Sequence, residues 1–180
     1  SGRELSADGI ELRFAVNYLA GYRLTELLVP LLQESAPARV VNVASAGQLP
    51  LDFGDPMLEK SYDGTVAYQR SKLAQVMHTF DLAERLRPHG VTVNALHPAT
   101  FMDTAMVHDA GIVPVSTVEE GTEATLRLIS DPALAGVTGR YFNGTAEARA
   151  HPQAYDESAR ERLRKLSERL VHAAVAPERG

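Results

Sequence analysis

Apolar residues along the first third of the chain recur at helical spacing. After Asp8, residues Leu12, Val16, Leu19, Leu24, Leu27, Leu28, Leu31 and Leu32 keep that rhythm, which predicts a long helix to about Gln33 with Asp8 suited to cap its start. The pattern then changes: residues 39–44 form a β-branched run without helical period, as expected of a strand buried on both faces, and it ends at Ser45. Gly47, Pro50, Gly54 and Pro56 interrupt every period over 46–63, so an irregular surface loop is expected there. From about Thr65 a second helix is predicted, because Leu73, Val76, Met77, Phe80, Ala83 and Leu86 share one stripe and Pro88, His89 and Gly90 supply the stop. Residues 91–96 read as a second buried strand.

Strand, helix, parallel strand is the crossover unit of open α/β sheets, and ligands bind such sheets beyond the carboxyl ends of their strands. Ser45 and the pair His97 and Pro98 occupy those ends. Further on, 99–116 reads as a long loop, 117–130 as a helix, 140–143 as a short strand and 156–172 as a charged amphipathic helix. The fold class that follows is α/β, with residues 1–180 forming a single domain or part of one.

Composition narrows the function. A chain that is 44% hydrophobic and 23% charged can fill one core. A net charge of −5 argues against a surface built to neutralise phosphates, so no nucleic-acid partner is expected. Neither a membrane-crossing run nor a secretory signal is visible, so no membrane partner and a cytoplasmic location are expected. With no cysteine, thiolate chemistry and cysteine zinc sites are excluded, and the six histidines lack metal-ligand spacing, so no metal site is expected.

Tyr68 and Lys72 stand four apart in the second predicted helix, so their side chains emerge one turn apart on one face. A phenol titrates near 10, and a neighbouring ammonium stabilises the phenolate, which draws the group towards the working range of a general acid or base. Two other readings of nearby residues are weaker. Val43, Ala44, Ser45, Ala46 and Gly47 have the outline of a nucleophile elbow, but the first glycine is replaced and Pro50 and Gly54 force a loop where the elbow needs a helix. Asp52, Phe53 and Gly54 match a kinase metal-binding word in a chain that has no His-Arg-Asp loop.

Four words in this order and spacing, residues 14–19 (FAVNYL), 39–45 (RVVNVAS), 68–74 (YQRSKLA) and 93–98 (VNALHP), make the sequence resemble the short-chain dehydrogenase/reductase family, in particular its retinol-dehydrogenase-like branch. The resemblance implies a Rossmann-like doubly wound parallel sheet and an NAD(P)-dependent oxidoreductase that interconverts an alcohol and a carbonyl. It implies Tyr68 as general acid/base, Lys72 as the group that lowers its pKa and holds the nicotinamide ribose, Ser45 as the donor to the substrate oxygen, and Asn17 as the anchor of a water in the proton relay. Pro98, with Thr100 or Thr104, would meet the nicotinamide. Ala99 stands where the family usually has glycine, so the backbone there is expected to differ slightly.

The resemblance also implies features that are not found. The glycine-rich turn, the residue that selects NAD or NADP, and the Asn-Asn-Ala-Gly strand end of the cofactor-binding N-terminal half are missing, and residues 1–11 offer only Gly2 and Gly9. The chain alone is therefore expected to bind NAD or NADP poorly. The strand at 39–44 is expected to lie against a missing N-terminal segment, a separate chain or another copy in a homo-oligomer, rather than against water. Met102, Met106, Val107, Ile112 and Val113 point to a small apolar or aromatic alcohol or carbonyl as substrate. The alternative to an enzyme is a truncated, non-catalytic dehydrogenase fold that serves as an interaction module.

Overall fold

In the computed structural model residues 2–175 are described, except for the side chains of Met106 and Val175. The first helix is continuous but not uniform: α1 (Leu12–Phe14) runs through a π-helical turn (Ala15–Leu19) into α2 (Ala20–Glu34). Its cap is Glu11 rather than Asp8, because the buried Glu11 carboxylate accepts from the backbone N–H groups of Arg13 and Phe14. The residues before it fold back on themselves through a bridge between Leu5 and Glu11, which places Asp8 in a turn.

β1 (Ala38–Val43) follows, then the irregular loop, then α3 (Gly64–Leu86), whose N-terminus is capped by Asp63. The predicted stripe is buried throughout: Leu73, Val76, Met77 and Ala83 have no exposed surface. A 3-10 turn (Arg87–His89) and Gly90, at φ 70°, end the helix where the proline and glycine foretold. β2 (Val91–His97) pairs parallel with β1, Val40 opposite Val93 and Val43 opposite Leu96. The expected loop after β2 contains one short helix, α4 (Ala105–Asp109), started by N–H groups of Val107 and His108 that donate to the Thr104 carbonyl.

α5 (Val118–Ser130) opens on a capping box of Thr117 and Glu120. β3 (Tyr141–Asn143) pairs parallel with β2, and β4 (Ala146–Ala148) turns back on it antiparallel. That last strand is absent from the sequence reading because three residues with a central glutamate give no period, although Gly144 at φ 59° supplies the turn. α6 (Glu157–Val175) closes the chain.

The sheet order is β1-β2-β3-β4, a four-stranded mixed sheet that amounts to part of a Rossmann fold. Alternation along the strands separates two layers. Ala38, Val40, Val91 and Val93 pack with Leu82, Ala83 and Leu86 of α3 and with Val29 and Leu32 of α2. On the other face, Val41, Leu96 and Phe142 pack with Ala124 and Leu128 of α5. α6 lies against α3, held by Arg164 on Asp81 at 2.7 Å, and against the first helix, where Tyr18 and Ser167 share a hydrogen bond of 2.7 Å. Among the described residues β1 has no strand on its outer side, Val40 and Val41 are half-buried, and Val43 is 45% exposed.

Candidate active site

Parallel pairing makes the carboxyl ends of β1 and β2 level, so Ser45 and Pro98 emerge side by side at the same end of the sheet, two residues beyond the paired Val43 and Leu96. Ser45 is buried and tightly held. Its carbonyl accepts from the Tyr141 hydroxyl at 3.0 Å and from Gln48 Nε2 at 2.9 Å, and its own Oγ accepts from the Gly47 N–H at 3.1 Å. Gln48 is fixed in turn by the His151 N–H at 2.8 Å. Tyr141 and Gln48 escaped the sequence reading because their partner is a backbone carbonyl; Tyr141 lies 96 positions away from it, a contact no local pattern announces.

The opening turns of α3 bring Tyr68 and Lys72 to this end. Gln69, beside Tyr68, accepts the Leu49 N–H on its carbonyl, which ties the helix to the loop that follows Ser45. Lys72 Nζ lies 5.8 Å from the Tyr68 ring centroid and donates to the Val43 carbonyl at 3.3 Å, two residues before Ser45. The lysine is half-buried, and that burial lowers its pKa below the usual lysine value. Tyr68 keeps a third of its surface open, at 36%.

Asn17 sits in the π-helical turn, and Nδ2 donates to Ser71 Oγ at 3.0 Å, whose hydroxyl donates to the Tyr68 carbonyl at 2.7 Å. A π turn widens the helix by one residue and re-aims what it carries. Here it points Asn17 at the α3 turn that presents Tyr68 and Lys72. Nothing in the local residue types signalled the turn.

At the end of β2, His97 Nε2 and Thr100 Oγ1 are 2.9 Å apart, and burial pulls the histidine's pKa down. Thr104 lies farther along the loop, and its hydroxyl is buried without a hydrogen-bond partner. Of the apolar loop residues, Val107 packs inward, whereas Ile112 and Val113 are exposed, at 36% and 79%; the Met106 side chain lies outside the described residues.

Two features fit the nicotinamide end of a dinucleotide: an ammonium with donors to spare at the end of β1, and a proline-led loop at the level end of the neighbouring β2. A pyrophosphate site is another matter. The long helices start at Glu11, Asp63, the Thr117 and Glu120 box, and Asp156, whose side chains already take the first N–H groups. Carboxylates at these termini repel a phosphate, so among the described residues no long helix has an N-terminus left to receive one.

A short chain dehydrogenase family model matches residues 2–112, more than half of the sequence. The chain therefore belongs to the short-chain dehydrogenase family, in its retinol-dehydrogenase-like branch. It is 38% identical over 180 residues to retinol dehydrogenase 14 of Homo sapiens, covering 91% of this chain and 53% of that protein. To the WW domain-containing oxidoreductase of Danio rerio it is 34% identical over 193 residues, covering 96% and 47%. The chain thus spans about half the length of the curated relatives it matches. Among solved structures it resembles a putative uncharacterized protein from Mycobacterium paratuberculosis, with a TM-score of 0.72 and 26% identity over 94% of this chain and 62% of that one. It also resembles the NADPH-bound carbonyl reductase from chicken fatty liver, with a TM-score of 0.58 and 26% identity over 84% and 62%.

Proposed function

We propose that this chain carries the proton-transfer machinery of an NAD(P)-dependent oxidoreductase that interconverts a small apolar or aromatic alcohol and its carbonyl. The observation that carries the reading is the placement of Tyr68 and Lys72 on one face of α3, with the Lys72 ammonium bridging the Tyr68 ring and the strand end at Val43. A bound NAD or NADP supplies or accepts the hydride at the reacting carbon. In the reducing direction, Tyr68 gives its phenolic proton to the carbonyl oxygen; in the oxidising direction, its phenolate takes the hydroxyl proton.

Lys72 stabilises the phenolate by its charge and offers its remaining N–H donors to the ribose hydroxyls. Ser45, held by Tyr141, Gln48 and Gly47, keeps a hydroxyl at the place where oxygen charge develops, so little reorganisation is needed there. Asn17 fixes the Tyr68 turn through Ser71 and anchors the water through which the proton leaves. Pro98 and Thr100, with Thr104 farther along the same loop, line the nicotinamide side.

The test is paired: binding of NADH and NADPH by fluorescence, and turnover of apolar and aromatic aldehydes, in the chain and in Tyr68→Phe. Nucleotide binding that survives the substitution while turnover disappears supports the assignment; unchanged turnover rejects Tyr68 as the acid. A second reading, an interaction module without catalysis, draws on one observation. The exposed leucines of α2 form a surface larger than single scattered apolar residues. No nucleotide binding at any concentration, together with a stable fold, would favour it.

A further inference from the structure

We propose that Gln69 narrows the substrate class of the candidate site: its carboxamide selects carbonyl compounds and alcohols that carry a second oxygen on the neighbouring carbon, as in an α-hydroxy ketone or a vicinal diol. The proposal deepens the oxidoreductase reading above and rests on it. Position supplies the first part of the argument. Gln69 follows Tyr68 directly, so at about 100° per residue its side chain leaves α3 on the side of the loop that carries Ser45, and its carbonyl accepts the Leu49 N–H of that loop. A methyl group placed on Gly47 would lie 3.5 Å from both Cγ and Nε2 of Gln69 and 3.6 Å from Ser45 Oγ. The carboxamide and the serine hydroxyl thus border one small space, which stays open because residue 47 has no side chain.

Bonding supplies the second part. The other glutamines at this loop serve the structure. Gln48 Nε2 donates to the Ser45 carbonyl at 2.9 Å, and its Oε1 accepts the His151 N–H at 2.8 Å. Gln153 clasps Leu51, accepting its N–H at 2.7 Å and donating to its carbonyl at 3.0 Å. Gln69 is different. It is half-buried, yet among the described residues its carboxamide has no hydrogen-bond partner, and neither end of it is sealed from solvent. Two clasped glutamines hold the wall of the site, and a free one stands beside the hydroxyl that meets the reacting oxygen.

The chemistry of the free group names its ligand. A carboxamide offers a donor and an acceptor together, and a hydroxyl answers both, since it can donate to Oε1 and accept from Nε2. Ser45 Oγ already accepts from the Gly47 N–H, which leaves its hydrogen for the reacting oxygen. Hydrogen bonds of about 3 Å from either side of so small a space suit two oxygens on adjacent carbons. A methyl group in place of the second hydroxyl leaves the carboxamide without that partner. Because water reaches the carboxamide in the free site, the difference is that of one partly solvated hydrogen bond, about threefold to tenfold in affinity.

Propiophenone and 2-hydroxyacetophenone test this, because they differ only in a methyl against a hydroxyl on the carbon beside the carbonyl. Their affinities for the chain are measured by protein-detected NMR titration with saturating oxidised nicotinamide nucleotide present, so that neither ketone is reduced. The wild type is expected to bind the hydroxy ketone about threefold to tenfold more tightly. Gln69→Leu should abolish the preference with an unchanged circular dichroism spectrum. Gly47→Ala provides a second variant: Gly47 is not among the positive-φ glycines, the new methyl makes only ordinary contacts, and it fills the shared space, so the preference should shrink there too. Tyr68→Phe should keep the preference, because the phenolic proton plays no part in it. Equal affinity of the wild type for the two ketones, or a preference that survives Gln69→Leu, would overturn the assignment to Gln69 and leave the oxidoreductase reading in place. Binding of neither ketone would overturn both.

Discussion

α2 and α3 cover the same face of one sheet and are similarly rich in apolar residues, yet they have opposite fates. α3 is enclosed by β2, α6 and the first helix, and its central turns are almost wholly buried. α2 is gripped on one side only, through Tyr22, Val29 and Leu32 with Tyr18 just ahead of it, while Leu24, Leu27 and Leu31, like Val16 before them, stay more than half exposed. The enclosed helix carries Tyr68 and Lys72, so the candidate chemistry stands on the part of the molecule with the most complete packing. The half-covered helix and the β1 edge form the part left open among the described residues.

The largest expected effect lies at the enclosed helix. Where the wild type turns over an aldehyde with bound nucleotide, Tyr68→Phe should lower kcat by about 10²- to 10⁴-fold, the usual worth of a positioned acid, with nucleotide affinity unchanged; a loss below tenfold would detach the chemistry from α3. Next comes the core of that helix. Leu73→Ala leaves a cavity where no water enters and should cost about 2–5 kcal/mol in denaturant unfolding.

A third effect depends on pH. His78 is buried against the Tyr18 and Tyr22 rings, at centroid distances of 6.3 and 4.9 Å, and desolvation pushes its pKa from 6.5 down to about 4. Glu26 and Asp81 pull it back up and Arg85 pushes it down, without overcoming burial. Between those two values the unfolded chain binds more protons than the folded one, so stability rises with pH across the window. Going down, it is complete above pH 6.5, falls through the window and is fully lost near pH 4, at a total of about 3 kcal/mol on the scale of 1.36 kcal/mol per unit. His78→Phe should flatten unfolding free energy between pH 4 and 6.5 relative to the wild type; an equally steep curve would show that other groups set the acid limit. The smallest effect belongs to the half-covered helix: Leu24 is 59% exposed, and Leu24→Ala should stay within about 0.5 kcal/mol of the wild type in denaturant unfolding. A core-sized loss there would erase the contrast between the helices.

Much of this was legible in the residues, for reasons that differ by element. α3 announced itself because its stripe is buried along its whole length, so period and packing coincide. β1 and β2 were clear as short valine-rich runs without helical period between glycine and proline stops. In the first helix the period gave the helix but not its buried side: Leu24, Leu27, Leu28 and Leu31 set the rhythm, but the aromatic residues Phe14, Tyr18 and Tyr22 make the core contacts. Periodicity reveals a face; which neighbour covers it is a property of topology. The π turn at Asn17, the Glu11 cap and the β4 hairpin depend on tertiary hydrogen bonds and short polar segments that leave no repeat to detect.

The candidate site followed the same division. Tyr68 and Lys72 could be paired from their spacing alone, because a helix fixes that geometry. Ser45 could be placed at a strand end. The supports of Ser45, the orphaned Thr104 hydroxyl and the His97 contact with Thr100 required the fold, since each joins groups whose proximity is set by loop paths.

The central claim, that these residues move a proton in step with hydride transfer, is tested most directly with isotope. The chain is incubated at saturating concentrations of reduced nicotinamide nucleotide carrying deuterium at both C4 positions, with an aromatic aldehyde, and the alcohol is analysed by mass spectrometry. The account predicts one deuterium on the carbinol carbon with the wild-type chain and none above background with Tyr68→Phe. Nucleotide shown to be bound, with no deuterium in the wild-type product, would contradict it.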